Sequence, residues 1–187
     1  MDAWQTFLRE LQASECAKLY GTNLVVGRGS LTPKVVFVGE APGAEEDAQK
    51  LPFVGRSGQM LDEWIRYCGL TDKDYYITNV VKTRPPENRD PTPTEVALCS
   101  PLLHKQLALL KPQYVVAVGR FAMNFFFPQK KSILKESGKL DGTVFIIPHP
   151  SYFLRNGGKG WEPYVEKLAQ ALGTTPQKTQ KQQKLTF

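Results

Sequence analysis

The sequence is short of the residues that mark several protein classes. It has three cysteines among 187 residues, odd in number and widely spaced, which argues against a secreted disulfide framework and favours a reducing cytoplasm. Apolar runs stay well below the roughly 18 residues of a membrane span, so we expect no membrane contact. The first residues, MDAWQTFLRELQ, are amphipathic and unlike a signal peptide. These absences together predict a cytoplasmic protein.

Common phosphate-binding motifs are missing as well. Neither G-x-G-x-x-G nor G-x-x-x-x-G-K-[ST] occurs, which argues against the usual nucleotide-binding loops. Lysine and arginine outnumber aspartate and glutamate by 24 to 18, giving a net charge of +6. A basic balance of this size favours a polyanion as partner without identifying it.

Short apolar runs alternate with helical patterns along the chain. The runs are KVVFV at 34–38, YYITNV at 75–80, YVVAV at 114–118 and VFII at 144–147. Strands that alternate with helices predict an α/β fold, in which a four-stranded parallel sheet is covered by helices on both faces.

Helix signals lie before and between these runs. Residues 2 to about 18 have an amphipathic period, Ser57 is placed to cap a second helix, and Thr92 with Pro93 and Glu95 is placed to start a third. Residues 40–56 and the segment HPSYFLRN are interpreted as loops. After Gly173 the sequence is polar and low in complexity, so we expect a domain over 1–173 and a flexible tail over 174–187.

Three unusual segments come at the ends of predicted strands. They are GEAPGAEED after the first strand, NVVKTRPPENR at the end of the second and HPSYFLRN after the fourth. Ligands of open α/β sheets bind at the carboxyl ends of the strands, so these segments should converge on one site. Glu40 would place a carboxylate there, and His149 lies between two prolines directly after a strand. The alternatives are a solvated acidic face and a surface loop whose aromatic residues fold back onto the core.

Four segments together resemble the family 4 uracil-DNA glycosylases in order and spacing, over roughly residues 1 to 172: GEAPGAEED, LPFVGRSGQ, YITNVVKTRPPENR and HPSYFLRN. The resemblance implies a three-layer α/β/α sandwich. It implies an enzyme of base excision repair that flips deoxyuridine out of DNA and hydrolyses its N-glycosidic bond, leaving an abasic site. It also implies uracil-containing DNA as partner, and we expect a monomer in the cytoplasm, associated with the nucleoid.

The resemblance assigns roles to particular residues. His149 would donate a hydrogen bond to uracil O2 as negative charge develops there, helped by backbone amides of the Glu40–Ala41 turn. Glu40 would supply the carboxylate near the attacking water and the sugar, with Glu46 as the alternative. In another branch of the superfamily a catalytic aspartate occupies the position of Ala41. Since no lysine is placed as a Schiff-base nucleophile, we expect a monofunctional enzyme.

Substrate binding is assigned in the same way. Phe53 would stack on the flipped ring, and Asn79 would accept a hydrogen bond from N3–H of uracil and donate one to O4, beside Ala41. Cytosine presents the reverse pattern, so discrimination requires neighbours that lock the amide orientation. The residues expected to contact DNA are Ser57, Arg84, Ser151, Leu154 and Arg155.

Typical family 4 members hold a [4Fe–4S] cluster on four cysteines. The corresponding positions here are Ala13, Cys16, Thr83 and Cys99. Because alanine offers no ligand and threonine offers a hard, neutral oxygen, we expect no cofactor, with Cys16 and Cys99 left as buried thiols. Cys68 is expected in the core.

The tail contains Gln182, Leu185 and Phe187 in a QxxLxF arrangement. This arrangement resembles the short peptides that dock on the bacterial sliding clamp, where the two apolar residues fill a pocket. A chance arrangement is the alternative.

Three other functions are compatible with the sequence. The first is a glycosylase of the same superfamily that acts on another base, such as hypoxanthine or mismatched thymine. The second is a catalytically silent DNA-binding module, and the third is a nucleotide-binding enzyme that uses the GEAPG turn.

Overall fold

A mixed β-sheet forms the centre of the computed structural model, which describes residues 2–177. Within that range the sheet has six strands: Arg28–Gly29 (β1), Val35–Gly39 (β2), Tyr75–Asn79 (β3), Tyr114–Val118 (β4), Lys139–Asp141 (β5) and Val144–Ile147 (β6). Their order across the sheet is β1-β3-β2-β4-β6-β5.

The four central strands are parallel, as the sequence predicts. β2 pairs with β3 on one side and β4 on the other, and β4 pairs with β6. The two edge strands, β1 and β5, are antiparallel to their neighbours. They were not predicted, because two or three residues are too few to show a hydrophobic period.

Helices cover both faces of this sheet. They are Ala3–Ala13 (α1), Glu15–Lys18 (α2), Ala44–Gln49 (α3), Arg56–Tyr67 (α4), Pro93–Leu110 (α5), Arg120–Phe126 (α6), Ile133–Glu136 (α7), Pro150–Arg155 (α8) and Glu162–Ala171 (α9). One hydrophobic core lies between the sheet and α4, α8 and α9, and a second lies between the sheet and α1, α5 and α6. The predicted three-layer α/β/α sandwich is therefore confirmed.

The start of α5 is the local structure that the sequence predicts best. The hydroxyl of Thr92 accepts a hydrogen bond from the backbone N–H of Glu95 at 3.3 Å, and the Glu95 carboxylate accepts one from the Thr92 N–H at 2.7 Å. Pro93 occupies the first helical position, where no intrahelical N–H bond is needed.

Three helix predictions are corrected by the structure. The helix expected over residues 2–18 is interrupted at Ser14, whose extended backbone ends α1 and whose hydroxyl caps α2 by accepting from the Ala17 N–H. The expected loop over residues 40–56 contains α3. Gly55 rather than Ser57 is the N-cap of α4, and Ser57 lies in the first turn.

The segment HPSYFLRN is a helix and not a loop. His149 is the N-cap of α8, and Pro150 is the first residue of the helix. Proline suits this position because a backbone N–H there would have no acceptor within the helix. Phe153 is buried and meets Trp64 edge-on, with ring centroids 5.6 Å apart. The aromatic ring of Phe153 thus belongs to the core.

The cysteines also differ from expectation. Cys16 and Cys99 form a disulfide that joins α2 to α5, with Cα atoms 5.0 Å apart, so the prediction of two buried thiols is wrong. Cys68 is a buried thiol at the end of α4, and its predicted place in the core is confirmed.

The chain continues beyond α9 along the domain surface. The backbone N–H of Gln177 donates to the carbonyl of Tyr67 at 2.7 Å. The expected clamp-binding residues, at 182–187, lie outside the described residues. Across residues 2–177, no helix combines the length and apolarity needed to cross a membrane.

Candidate active site

The carboxyl ends of the parallel strands surround a cavity of about 770 Å³. The six residues predicted to act on or bind uracil all line it: Glu40, Ala41, Glu46, Phe53, Asn79 and His149. The structure thus brings together side chains from the loops after β2, β3 and β6, as the strand topology requires.

The residues predicted to contact DNA are divided between two locations. Ser57, Ser151 and Arg155 line the cavity. Arg84 lies outside it and donates to Asn88 Oδ1 at 2.8 Å, and Leu154 packs against the hydrophobic core. The structure therefore does not place Arg84 and Leu154 with the other three.

Backbone hydrogen bonds join the two loops that follow β2 and β3. The carbonyls of Gly39 and Glu40 accept from the N–H groups of Val80 and Val81, each at 3.0 Å. These bonds extend the strand pairing past the ends of the strands, so Glu40 and Asn79 are held in a fixed relation.

Phe53 has an unusual backbone conformation, with φ of 53°. The Arg28 guanidinium donates to the carbonyls of Pro52 (3.0 Å) and Phe53 (3.2 Å) and forms an ion pair with Asp62 at 2.6 Å. A side chain at Gly58 would overlap the Phe53 carbonyl. Strained residues persist only where their surroundings fix them, and these contacts fix Phe53 in the cavity wall.

Glu46 has its carboxylate engaged by the backbone. Oε1 accepts from the N–H groups of Val54 (3.0 Å) and Gly55 (2.9 Å), and Oε2 accepts from the Gly43 N–H at 3.1 Å. Glu46 therefore ties the GEAPG loop to the PFVG segment that carries Phe53.

Glu40 lies among charged groups that the sequence analysis missed. Burial raises the pKa of Glu40 to about 7, Asp90 adds to the increase and Arg120 opposes it. Arg120 and Asp90 form an ion pair at 3.0 Å across the cavity rim. Arg120 begins α6 directly after β4, so its position at the end of a parallel strand was the available signal. The sequence does not single it out, because the segment after β4 has no unusual motif.

The contacts of His149 define its tautomer. Nδ1 lies 3.2 Å from the backbone nitrogen of Ser151 and 2.8 Å from its hydroxyl oxygen. Because a backbone N–H can only donate, Nδ1 is the acceptor, and the proton of the neutral ring is on Nε2. Burial, assisted by the positive charge of Arg155, lowers the pKa of His149 to about 4. The ring is therefore neutral at pH 7.

Asn79 presents an unpartnered acceptor at the cavity. The residue is buried, and its Oδ1 has no hydrogen-bond partner among residues 2–177. An orphaned buried acceptor is costly, so the position suits a ligand that brings a donor. The Phe53 ring lies near that of His149, with centroids 5.8 Å apart.

Further residues of the cavity wall have no role assigned from the sequence. They include Phe121 in α6, Ile133 and Leu134 in α7, and Tyr152 in α8. Leu134 is exposed. No predicted strand leads into the short helix α7, so the sequence does not indicate that this helix lies at the site. Tertiary packing alone brings it there.

Comparisons with known proteins find similarity over most of the chain. The sequence model described as Uracil DNA glycosylase superfamily matches residues 26–173. The chain is 50% identical to a Type-4 uracil-DNA glycosylase of Thermotoga maritima over 141 residues, which cover 72% of this chain and 73% of that protein. It is 45% identical to a protein of that name from Archaeoglobus fulgidus, covering 79% and 75%. A third, from Saccharolobus solfataricus, is 33% identical and covers 94% and 89%.

These relatives correct the expectation that the protein has no cofactor. They bear the Type-4 name, that of the class whose typical members the resemblance describes as holding a cluster, so two substituted cysteines do not establish its absence.

The described residues themselves do not form a four-thiolate site. Cys16 and Cys99 are bonded to each other, Thr83 is buried beside them, Ala13 is exposed, and residues 2–177 contain no group of three or more acidic, cysteine or histidine ligands. We therefore assign the cluster no part in the chemistry at the cavity.

Proposed function

The chain belongs to the uracil DNA glycosylase superfamily and is a uracil-DNA glycosylase, and we propose that the cavity at the carboxyl ends of β2, β3 and β6 is where uracil is bound and excised. The enzyme is a hydrolase of N-glycosyl bonds in DNA repair, and its substrate is uracil-containing DNA. The roles of the individual residues are argued below.

His149 stabilises the leaving uracil in this proposal. Breaking the N-glycosidic bond leaves negative charge on uracil O2, and a neutral donor fixed in a buried site stabilises that charge without having to reorganise. The Nε2–H of His149 is such a donor, because Ser151 holds Nδ1 as an acceptor. The lowered pKa of His149, about 4, keeps the ring neutral at working pH.

Glu40 is the carboxylate that faces the water and the sugar. Its side chain lies in the cavity wall, and its pKa of about 7 gives it both protonation states near neutral pH, which suits a group that positions and deprotonates water. Glu46 is less suited, because three backbone N–H groups already occupy its oxygens.

Asn79 and Phe53 recognise the flipped base. The unpartnered Oδ1 of Asn79 is placed to accept from N3–H of uracil, and the amide of the same side chain donates to O4. Phe53 stacks on the ring, beside Ala41. Ser57, Ser151 and Arg155 contact the DNA backbone at the cavity mouth, and Arg84 and Leu154 contact it farther from the base.

The observation that carries this proposal is the hydrogen bond from the Ser151 N–H to His149 Nδ1. The experiment is release of free base from single-stranded oligonucleotides that carry uracil, with matched oligonucleotides that carry hypoxanthine or a thymine mismatch. We expect uracil to be released fastest and the strand to stay intact. Preferential release of another base would assign the cavity to that base.

Two finer features are proposed from the sequence. We infer that Gln182, Leu185 and Phe187 bind the DNA sliding clamp, because two large apolar residues occur at clamp-motif spacing in an otherwise polar segment. We also infer that the protein acts as a monomer at the nucleoid, where its DNA substrate lies.

A further inference from the structure

Lys82 is a fully buried lysine with no part in the chemistry described above. It follows Asn79 by three residues, just past the end of β3. Its ammonium donates to Thr78 Oγ1 at 2.6 Å, to the Asn79 carbonyl at 2.7 Å and to Gln106 Oε1 at 2.7 Å. All three acceptors are neutral.

Such a group is expensive to keep in a protein interior. An ammonium has three protons, and here each has its own acceptor, so the geometry is that of the charged form, although burial lowers the pKa of Lys82 to about 7. Burying a charge without an opposite charge is strongly unfavourable, and an apolar side chain of similar length would avoid that penalty. The arrangement therefore calls for a role that an apolar side chain at this position would not fill.

The contacts of Lys82 lead to the proposed base-reading residue. The same ammonium holds the side chain of Thr78 and the backbone carbonyl of Asn79, and Gln106 of α5 in turn donates to the Val26 carbonyl at 3.1 Å. The Asn79 side chain has an unpartnered Oδ1. The orientation of the Asn79 side chain therefore depends on how firmly the backbone of Asn79 is held.

We propose that Lys82 is a positioning residue for base recognition, which fixes the backbone of Thr78 and Asn79 and thereby the direction of the Asn79 amide. This inference rests on the proposed function, because it requires that Asn79 reads uracil. Lys82 would then be the neighbour that fixes the orientation of the Asn79 amide. Discrimination between uracil and cytosine requires such a fixed orientation. Lys82 acts through Asn79 and does not touch the base.

The test is a double-mutant cycle measured by single-turnover excision of uracil. Lys82→Met keeps the length and apolar stem of the side chain and removes the ammonium. We expect it to slow excision by about tenfold or more, because small misplacements of binding groups cost that much. In an Asn79→Ala background the same change should slow excision no further, whereas its effect on melting temperature should persist. Binding to uracil-free DNA should be unchanged in the full chain.

Lys34 provides a matched control. Its ammonium also donates to a backbone carbonyl, that of Leu172, at 2.8 Å, but this contact lies away from the cavity. Lys34→Met should therefore leave excision unchanged. Its melting temperature shows how much stability is lost when a hydrogen bond from a lysine to a backbone carbonyl is removed.

A second pair of variants keeps the test decisive where Lys82→Met does not fold. Thr78→Val removes one acceptor of the ammonium, and Thr78→Ser restores the hydroxyl. We expect Thr78→Val to slow excision, Thr78→Ser to recover it, and the Thr78→Val effect to vanish in the Asn79→Ala background.

The outcomes separate this inference from the proposed function. Wild-type excision by folded Lys82→Met or Thr78→Val, or losses that simply add to that of Asn79→Ala, would overturn the positioning role alone. Wild-type excision by Asn79→Ala itself would instead overturn the proposed function of Asn79.

Discussion

Gly39 and Asn79 are paired across β2 and β3, and a Cβ atom on Gly39 would lie 2.5 Å from Asn79 Oδ1. The same atom would lie 2.5 Å from Cζ of Phe53. The absent side chain of Gly39 is thus what allows the two proposed uracil-binding residues to approach each other at the end of the sheet.

Replacing Gly39 with alanine should therefore damage the site while leaving the fold intact. Since the added methyl must displace Asn79 or Phe53, we expect single-turnover excision to fall by up to about 10²-fold. Gly55→Ala is the matched control, because its Cβ would meet Glu45 and Glu46 atoms at 3.4 Å, an ordinary contact distance. Equal rates for the Gly39 variant and wild type would show that the site tolerates the displacement.

The pH dependence of excision should report on Glu40. Its pKa of about 7 predicts that the single-turnover rate rises with pH through a midpoint near 7 as the carboxylate forms. His149, with a pKa of about 4, stays neutral across this range. Glu40→Gln should be slow and lose this dependence. A midpoint near 7 that survives in Glu40→Gln would assign it to another group.

The raised pKa of Glu40 should also make the stability of the protein depend on pH in a defined direction. Because the pKa of Glu40 is raised from 4.5 to about 7 on folding, its favourable contribution is present below pH 4.5 and lost as pH rises through 7. Glu40→Gln should therefore melt at a higher temperature than wild type at pH 8, and the two should melt alike at pH 4.5.

Glu46 should behave as a structural link between two loops. Glu46→Ala removes acceptors from three backbone N–H groups, so we expect the free energy of unfolding to fall by about 2 kcal/mol or more. Denaturant titration measures this, with the exposed neighbour Glu45→Ala as control. If Glu46→Ala keeps the stability of the wild type and still loses excision, Glu46 takes part in the reaction itself.

The tail should matter for clamp binding alone. Removing residues 182–187 should abolish binding to a purified sliding clamp and leave cleavage of short oligonucleotides unchanged. Leu185→Ala combined with Phe187→Ala should have the same effect at full length. Clamp binding by the truncated protein, or loss of activity on free oligonucleotides, would assign the segment another role.

The sequence predicts the centre of this molecule better than its edges. Runs such as Val35–Gly39 are predictable because a buried parallel strand is continuously apolar, and the capping residues of α5 carry their own signature. The edge strand Arg28–Gly29 has no such pattern, although Arg28 supports Phe53. The conformation of Phe53 is likewise invisible in the sequence, because long-range contacts impose it.

The candidate site follows the same division. Glu40, Asn79 and His149 each lie at the end of a predicted strand, and the resemblance to the family assigns their roles. Arg120 occupies an equivalent position after β4 but has no motif around it. The link between Cys16 and Cys99 depends on the packing of α2 against α5, which spacing along the chain does not encode.

The most direct test of the site is the single-turnover rate of free uracil release by His149→Ala and Asn79→Ala. Both variants should keep the wild-type melting profile. Each should release uracil about 10²-fold or more slowly than wild type, because lost preorganised hydrogen-bonding groups typically cost that much. Near-wild-type rates in either folded variant would contradict the assignment of this cavity as the place where the glycosidic bond is broken.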